Sequence, residues 1–433
     1  MILQRQIGHM RDIYQEYPRQ FWILILAVFI DRVGGAILFP FLTLYVTRRF
    51  AVGMTEVGVL FGLYSIASIG GSMFGGALTD RVGRKSMLLF GLVTSALTNL
   101  VLGFVGSFEM FFVVVLFVGL FANAGGPAGQ AMVADLLPEE KRAQGFGILR
   151  VVANLAVVIG PAIGGLLATR SYLLLFVGDA VTSLITAGIV FLAIRETMPA
   201  LSQGEPQQTV AQTFGGYWDV VRDTTFMLFI GACILMVMVY FQMNTTLAVY
   251  LRDIHGVSEQ GFGYIIALNA AMVVLFQFAI TRRTSKYRPL ILMAVGTLLY
   301  AVGFGMYGFV SGYAFFLLAM VIITIGEMLV APVSQALAAQ FAPEDMRGRY
   351  MAVFGFSWII PVAVGPLLAG LIMDYIDPHW VWYAAGLLGL VAAGAFALLQ
   401  RRVGQPAGKS SEAAELAVSA SSTPAAVSVV IEQ

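Results

Sequence analysis

Charge is scarce in this chain. Asp, Glu, Lys and Arg make up 11% of its 433 residues, where a soluble domain carries about 25%. So little charge cannot clothe a water-soluble globule, and lipid is the solvent the composition requires. Cysteine is scarcer still. Cys233 stands alone, which excludes an intramolecular disulfide and a thiolate metal cluster. The histidines are His9, His255 and His379, scattered along the chain, and no metal site is expected from them. A net charge of +1 leaves no electrostatic footprint for nucleic acid. What the chain does have is apolar length. Hydrophobic residues make up 59% of it, and the mean hydropathy is +0.86.

Crossing a hydrocarbon core takes about 20 apolar residues. Twelve such runs are visible, near 22–47, 57–79, 87–105, 110–136, 144–168, 172–194, 226–250, 261–281, 290–310, 313–340, 350–374 and 380–399. The first contains Asp31 and Arg32, is too long and polar for a signal-peptide core, and lacks a small-residue cleavage site. It reads as a retained span. Most connections are short, so neighbouring spans form antiparallel hairpins. The expected organisation is an N-terminal segment over 1–21, a six-helix bundle over 22–196 and a linker over 197–225. A second six-helix bundle over 226–400 and a disordered, Ala/Ser/Glu-rich tail over 401–433 follow. The fold class is therefore all-α membrane protein, in two pseudo-symmetric halves.

Basic residues set the expected orientation. Arg81, Arg84, Lys85, Lys141, Arg142, Arg282, Arg283, Lys286, Arg288, Arg347 and Arg349 fall in loops on one side. Only Arg48, Arg49, Arg170 and Arg252 fall on the other. The richer side is cytoplasmic, which puts both termini in the cytoplasm of a plasma (inner) membrane protein.

The halves share more than length. Residues 127–165 recur at 332–370 without a gap: Pro127 answers to Pro332, Gln130 to Gln335, Glu139 to Glu344, Arg142 to Arg347, and Gly160-Pro161 to Gly365-Pro366. Two parallel halves of a membrane protein place a binding site at their shared interface, near the bilayer midplane.

The loop after the second run carries Gly76, Asp80, Arg81, Gly83, Arg84 and Lys85. Gly76 is expected to let two helices approach closely, and Gly83 to permit the tight turn. Asp80 suits a helix N-terminus. Arg84 suits an acid at a neighbouring helix end, with Asp135 as the candidate. This constellation resembles the signature of the major facilitator superfamily between its second and third helices. Gly160, Pro161, Gly164 and Gly165 resemble that family's antiporter motif. The resemblance covers about 22–400. It implies the twelve-helix major facilitator fold, a cytoplasmic latch at the Asp80–Asp135 cluster, and transport by alternating access. Two departures stand out. Residues 110–136 hold no basic residue where the family's proton-coupled drug exporters carry an arginine, and Arg150 is the candidate substitute. The loop at 281–286 lacks the Asp and Gly of its first-half counterpart.

A charge at the centre of a span costs roughly 2.5–3.5 kcal/mol to insert and usually faces a cavity. Asp31 and Glu327 are the sharpest candidates for proton or substrate. Asn123, Gln130 and Gln335 are polar candidates beside them. Arg32 sits about 100° around the helix from Asp31, a poor geometry for an ion pair. Asp179, in the sixth run, reads as a structural hydrogen-bonding residue. Gly404–Ser410 mimics a phosphate loop but has one residue too few between its glycines. No nucleotide drives this protein, no cofactor is expected, and a proton gradient is the implied energy source. The expected function is proton-coupled export of small amphipathic or cationic compounds, as in multidrug efflux, by a monomer. The alternatives are transport of a defined metabolite such as a sugar, organic acid or siderophore, or a non-transporting membrane sensor. No nucleophile–base pair points to an enzyme.

Overall fold

The computed structural model describes residues 16–198, 218, 220–284, 286–343 and 346–403. Most of the expected N-terminal segment and linker, and the tail from 404 with its Gly404–Ser410 stretch, lie outside the described residues. Apolar runs longer than 18 residues leave the backbone one option in lipid, which is to satisfy every N–H and C=O within a helix. Twelve helices long and apolar enough to span a bilayer result, with no strand among the described residues. They are α1 (Arg19–Phe50), α2 (Met54–Val82), α3 (Arg84–Phe104), α4 (Phe108–Leu136), α5 (Glu139–Ala168) and α6 (Leu173–Ala193). The second set is α7 (Thr224–His255), α8 (Glu259–Thr284), α9 (Pro289–Met306), α10 (Tyr313–Phe341), α11 (Arg347–Tyr375) and α12 (His379–Val403). Several run beyond their apolar stretch. Helical hydrogen bonding continues past the hydrocarbon edge, so α5 starts at Glu139 rather than 144.

Local chemistry explains the interruptions. Pro40 lies in a 3-10 turn, Phe39–Phe41, that breaks α1. A second such turn, Ala122–Gly125, precedes Pro127 and breaks α4. Gly83, at φ +109°, forms the one-residue joint between α2 and α3. That conformation is open to glycine and strained for other residues. Ser107 and Asp223 cap α4 and α7 by accepting from Met110 N and Phe226 N, at 3.3 and 3.0 Å.

The packing repeats. In the first half α1 packs on α5 and α6, α3 on α6, and α2 on α4. In the second half α7 packs on α11 and α12, α9 on α12, and α8 on α10. The halves meet through two antiparallel pairs, α2 with α11 and α5 with α8. Glycine sets both distances: Gly58 abuts the Leu367 backbone, Gly370 the Met54 backbone, and Gly165 faces Gly263.

Polar bonds join the halves at the Arg48 end. Asp374 at the end of α11 accepts from Met54 N at 3.1 Å and Thr55 N at 2.7 Å, capping α2. Glu259 accepts from Arg48 at 2.8 Å and from the Tyr172 hydroxyl at 2.9 Å. Burial and the Glu259 carboxylate push the Tyr172 phenol above its ordinary pKa, so it stays protonated and keeps donating. Arg252 reaches Leu44 O and Thr47 Oγ1, each at 3.1 Å. Six hydrogen bonds between described residues thus cross the halves at this Arg48 end.

Candidate functional site

A cavity of about 660 Å³ opens in the first half. Its described walls come from α1 to α6, whereas the sequence reading expected a site shared by the two halves. The volume has a sequence cause. Gly35 on α1, Gly91 on α3, and Gly125, Gly126 and Gly129 on α4 line it, leaving space where side chains would otherwise stand.

Two carboxylates share one wall. Asp31 of α1 accepts from Ser183 Oγ of α6 at 3.0 Å. Asp179 of α6, one helical turn from Ser183, accepts a short hydrogen bond from Asn99 Nδ2 of α3. Both acids border the same cavity. Asp179 is 6% exposed and fits because Gly34 has no side chain: a Cβ there would meet Thr182 and the Asp179 carboxylate. Asp179 is thus hydrogen-bonded as expected, and it is also a cavity wall. The sequence reading missed this because α6 is nominally an outer helix. Asn99 and Ser183 were missed too; single Asn and Ser residues in apolar runs carry too weak a signal to stand out.

Arg32 is exposed and lines the same cavity, the one basic residue to do so among those described. Asn123, at the break in α4, donates to the Tyr64 hydroxyl at 3.1 Å, and Gln130 also faces the space. Gln335, its repeat partner, is exposed and lines neither cavity, so the structure does not bring it to the site. The Arg150 and Asp80 side chains lie outside those described.

Glu327 is elsewhere. It borders a separate cavity of about 50 Å³ inside the second half. Tyr240 Oη donates to its Oε1 at 3.0 Å and Asn269 Nδ2 to its Oε2 at 2.8 Å. The two mid-span acids picked from the sequence therefore serve different cavities.

At the other end, Arg84 Nε meets Asp135 Oδ2 at 2.5 Å, joining the start of α3 to the end of α4. Thr197 Oγ1 donates to Asp135 at 3.3 Å. Glu196 accepts from Arg84 N at 2.9 Å and Lys85 N at 3.1 Å. It thus seats an anion on the N-terminus of α3, where the helix dipole favours one. Arg81 is exposed. One detail is corrected. The close approach of α2 to α4 belongs to Gly75, whose absent side chain lets the Ala124 backbone in. A Cβ on Gly76 would meet Pro127 at an ordinary 4.0 Å.

The α5 motif is an interface on two sides. Gly160 abuts Ala36 and Gly164 abuts Ile37 and Phe41, both on α1, while Gly165 and the Pro161 carbonyl face Gly263 of α8. Its glycines hold α5 to its own half and to the other.

The sequence matches the model of the Major Facilitator Superfamily over residues 24–358 and 243–431. The chain belongs to this superfamily. The MFS-type transporter YttB of Bacillus subtilis (strain 168) is 28% identical over 388 residues, spanning 89% of this chain and 96% of YttB. A Na(+), Li(+), K(+)/H(+) antiporter of Planococcus maritimus is 28% identical over 412 residues, 89% of this chain and 95% of that one. The multidrug resistance protein MdtH of Shigella flexneri is 24% identical over 364 residues, 83% and 88% of the two chains. Among solved structures, a POT family transporter with 5-aminolevulinic acid superposes with a TM-score of 0.74 at 17% identity, covering 89% of this chain and 97% of that one. The nucleoside transporter NupG gives 0.72 at 14% identity, covering 88% and 99%. At such identities these structures speak for the fold alone. The protein is a multi-pass membrane transporter of the major facilitator type.

Proposed function

We propose that this transporter exports small organic cations in exchange for protons. The observation that carries the reading is the Asp31–Asp179 pair in a cavity whose described lining includes one basic residue, Arg32. A volume of about 660 Å³ lies within the roughly 300–1,000 Å³ of drug-sized ligand sites. Apolar walls such as Phe39, Phe61 and Leu92 suit an amphipathic cargo. Two neighbouring carboxylates hold one positive charge better than none or two. A cargo cation and a proton then compete for the same wall, and competition of that kind is the physical basis of exchange.

The Lys/Arg bias puts the Arg84 end in the cytoplasm. The halves, joined at the Arg48 end, then face inward, and cargo enters from the cytoplasm. Outward opening breaks the Asp374, Glu259 and Arg252 bonds. It brings the halves together at the Arg84 end, where Gly76, Asp80, Arg81, Gly83, Arg84 and Asp135 form the latch. One proton crossing 100 mV supplies about 2.3 kcal/mol. MdtH, by its name, is a multidrug resistance protein, in keeping with this reading.

The test is flux of tetraphenylphosphonium in proteoliposomes under an imposed pH gradient. Wild-type protein should concentrate the probe against the proton flow, and Asp31→Asn and Asp179→Asn should uncouple it. Wild-type coupling in both variants would overturn the assignment. A second reading is alkali-cation/proton exchange at the same pair, favoured by the paired carboxylates and by the name of the Planococcus relative. Sodium-driven proton movement without tetraphenylphosphonium flux would favour it.

A further inference from the structure

The second half contains a half-buried mid-span carboxyl group with no cation beside it among the described residues that line its cavity. Glu327 lies mid-way along α10, and no Lys, Arg or His lines the cavity it borders. The other titratable groups on that cavity are Tyr240, Tyr300 and Cys233, none of which carries positive charge. A desolvated carboxylate is costly unless a positive charge neutralises it.

The surrounding hydroxyls sharpen the point, because their protons are already committed. Ser357 Oγ donates to Phe354 O at 2.6 Å and Ser334 Oγ to Ala331 O at 3.2 Å. Tyr240 donates to Glu327 itself. What these three oxygens have left to offer the cavity is lone pairs. Asn269 is fixed as well: its amide nitrogen donates to Thr324 Oγ1 at 3.0 Å and to Glu327 at 2.8 Å. Thr324 in turn donates to Met320 O at 2.7 Å. The network therefore holds Glu327 in one place from the α8 side while the acceptors face the space.

Size selects the occupant. About 50 Å³ exceeds the roughly 10–15 Å³ one water needs but is far below the volume of an organic molecule. We infer that Glu327, Tyr240, Ser334 and Ser357 form a second site. It takes one small inorganic monovalent cation, a proton or an alkali-metal ion, and is not shared with the organic cargo. Oxygen donors of this kind are those that hard cations prefer. The inference rests on the transporter reading only for its purpose. Occupancy itself is a binding property, measurable without flux.

Trp358 borders the cavity and meets Tyr240 edge-on at 6.2 Å between ring centroids, so its fluorescence can report occupancy. The full-length protein in nanodiscs is titrated with NaCl, LiCl or KCl against choline chloride at constant ionic strength, and separately with pH. Trp358→Phe identifies the signal. A saturable response to an alkali chloride but not to choline supports an alkali-ion site. A response to pH alone supports a proton site. Glu327→Gln should abolish either one. Ser357→Ala, a milder change, should shift an alkali midpoint several-fold while leaving a proton midpoint in place. Saturating tetraphenylphosphonium should leave the midpoint unmoved. The inference is overturned if neither titration gives a saturable response, if Glu327→Gln responds like wild type, or if tetraphenylphosphonium competes. Wild-type cation binding with no flux in any arm would overturn the exchange reading and leave this site standing.

Discussion

At the scale of single residues, Asp31 and Gly34 do opposite things for one wall of the first cavity. Asp31 supplies charge; Gly34 supplies the absence of a side chain that makes room for Asp179. A unit positive charge about 8 Å from a carboxylate gains about 2 kcal/mol at an effective dielectric near 20. Asp31→Asn should therefore weaken tetraphenylphosphonium binding roughly tenfold to a hundredfold, and equilibrium binding in detergent checks it. Gly34→Ala drives a methyl into Thr182 and Asp179 and should cost about 1–3 kcal/mol through overpacking. Gly35→Ala meets nothing within 4 Å and should leave the thermal unfolding midpoint where it is. Equal midpoints for the two variants would show that Asp179 is not held as described. Asp31 was legible in the sequence because a mid-span acid is conspicuous. Asn99, Ser183 and Asn269 were not, because an uncharged polar residue in an apolar run reads equally as glue between helices.

At the scale of elements, the spans were legible because lipid allows the backbone no alternative to a helix. Their contacts were less so. A Gly-Gly pair such as Gly75-Gly76 tells that α2 comes close to something, but adjacent residues point about 100° apart on a helix. Only the packed structure shows that Gly75 takes the Ala124 backbone. Gly75→Val should lower the unfolding midpoint markedly, while Gly76→Ala should be near neutral, within about 0.5 kcal/mol. The reverse order of midpoints would place the other face of α2 against α4. The Arg84–Asp135 pair was readable from charge complementarity at two helix ends. The role of Glu196 was not, since its partners are backbone N–H groups that every residue carries.

For the whole molecule, the decisive feature is the set of polar bonds between the halves at the Arg48 end. Asp374 there caps a helix belonging to the other half. Replacing a cap costs about 1 kcal/mol, and a penalty of that size moves a two-state ratio roughly fivefold. Asp374→Ala should shift the population toward separation at this end. Spin-label distances between sites near residues 49 and 260 would report it as growth of a longer component. A distribution identical to wild type would show that the cap is incidental to the equilibrium.

The sequence by itself determined the solvent, the helix count, the doubled architecture and the rarity of buried charge. Each follows from local composition, which one-dimensional order preserves. The tertiary structure alone decided which charges are neighbours. Asp31 and Asp179 line one cavity because α1 packs on α6, while Glu327 borders another in the other half. It also decided that the described lining of the large cavity comes from one half and that polar bonds tie the halves at the Arg48 end. Those properties depend on distances between residues far apart in the chain, and a repeat that treats both halves alike carries no information about where they differ in shape.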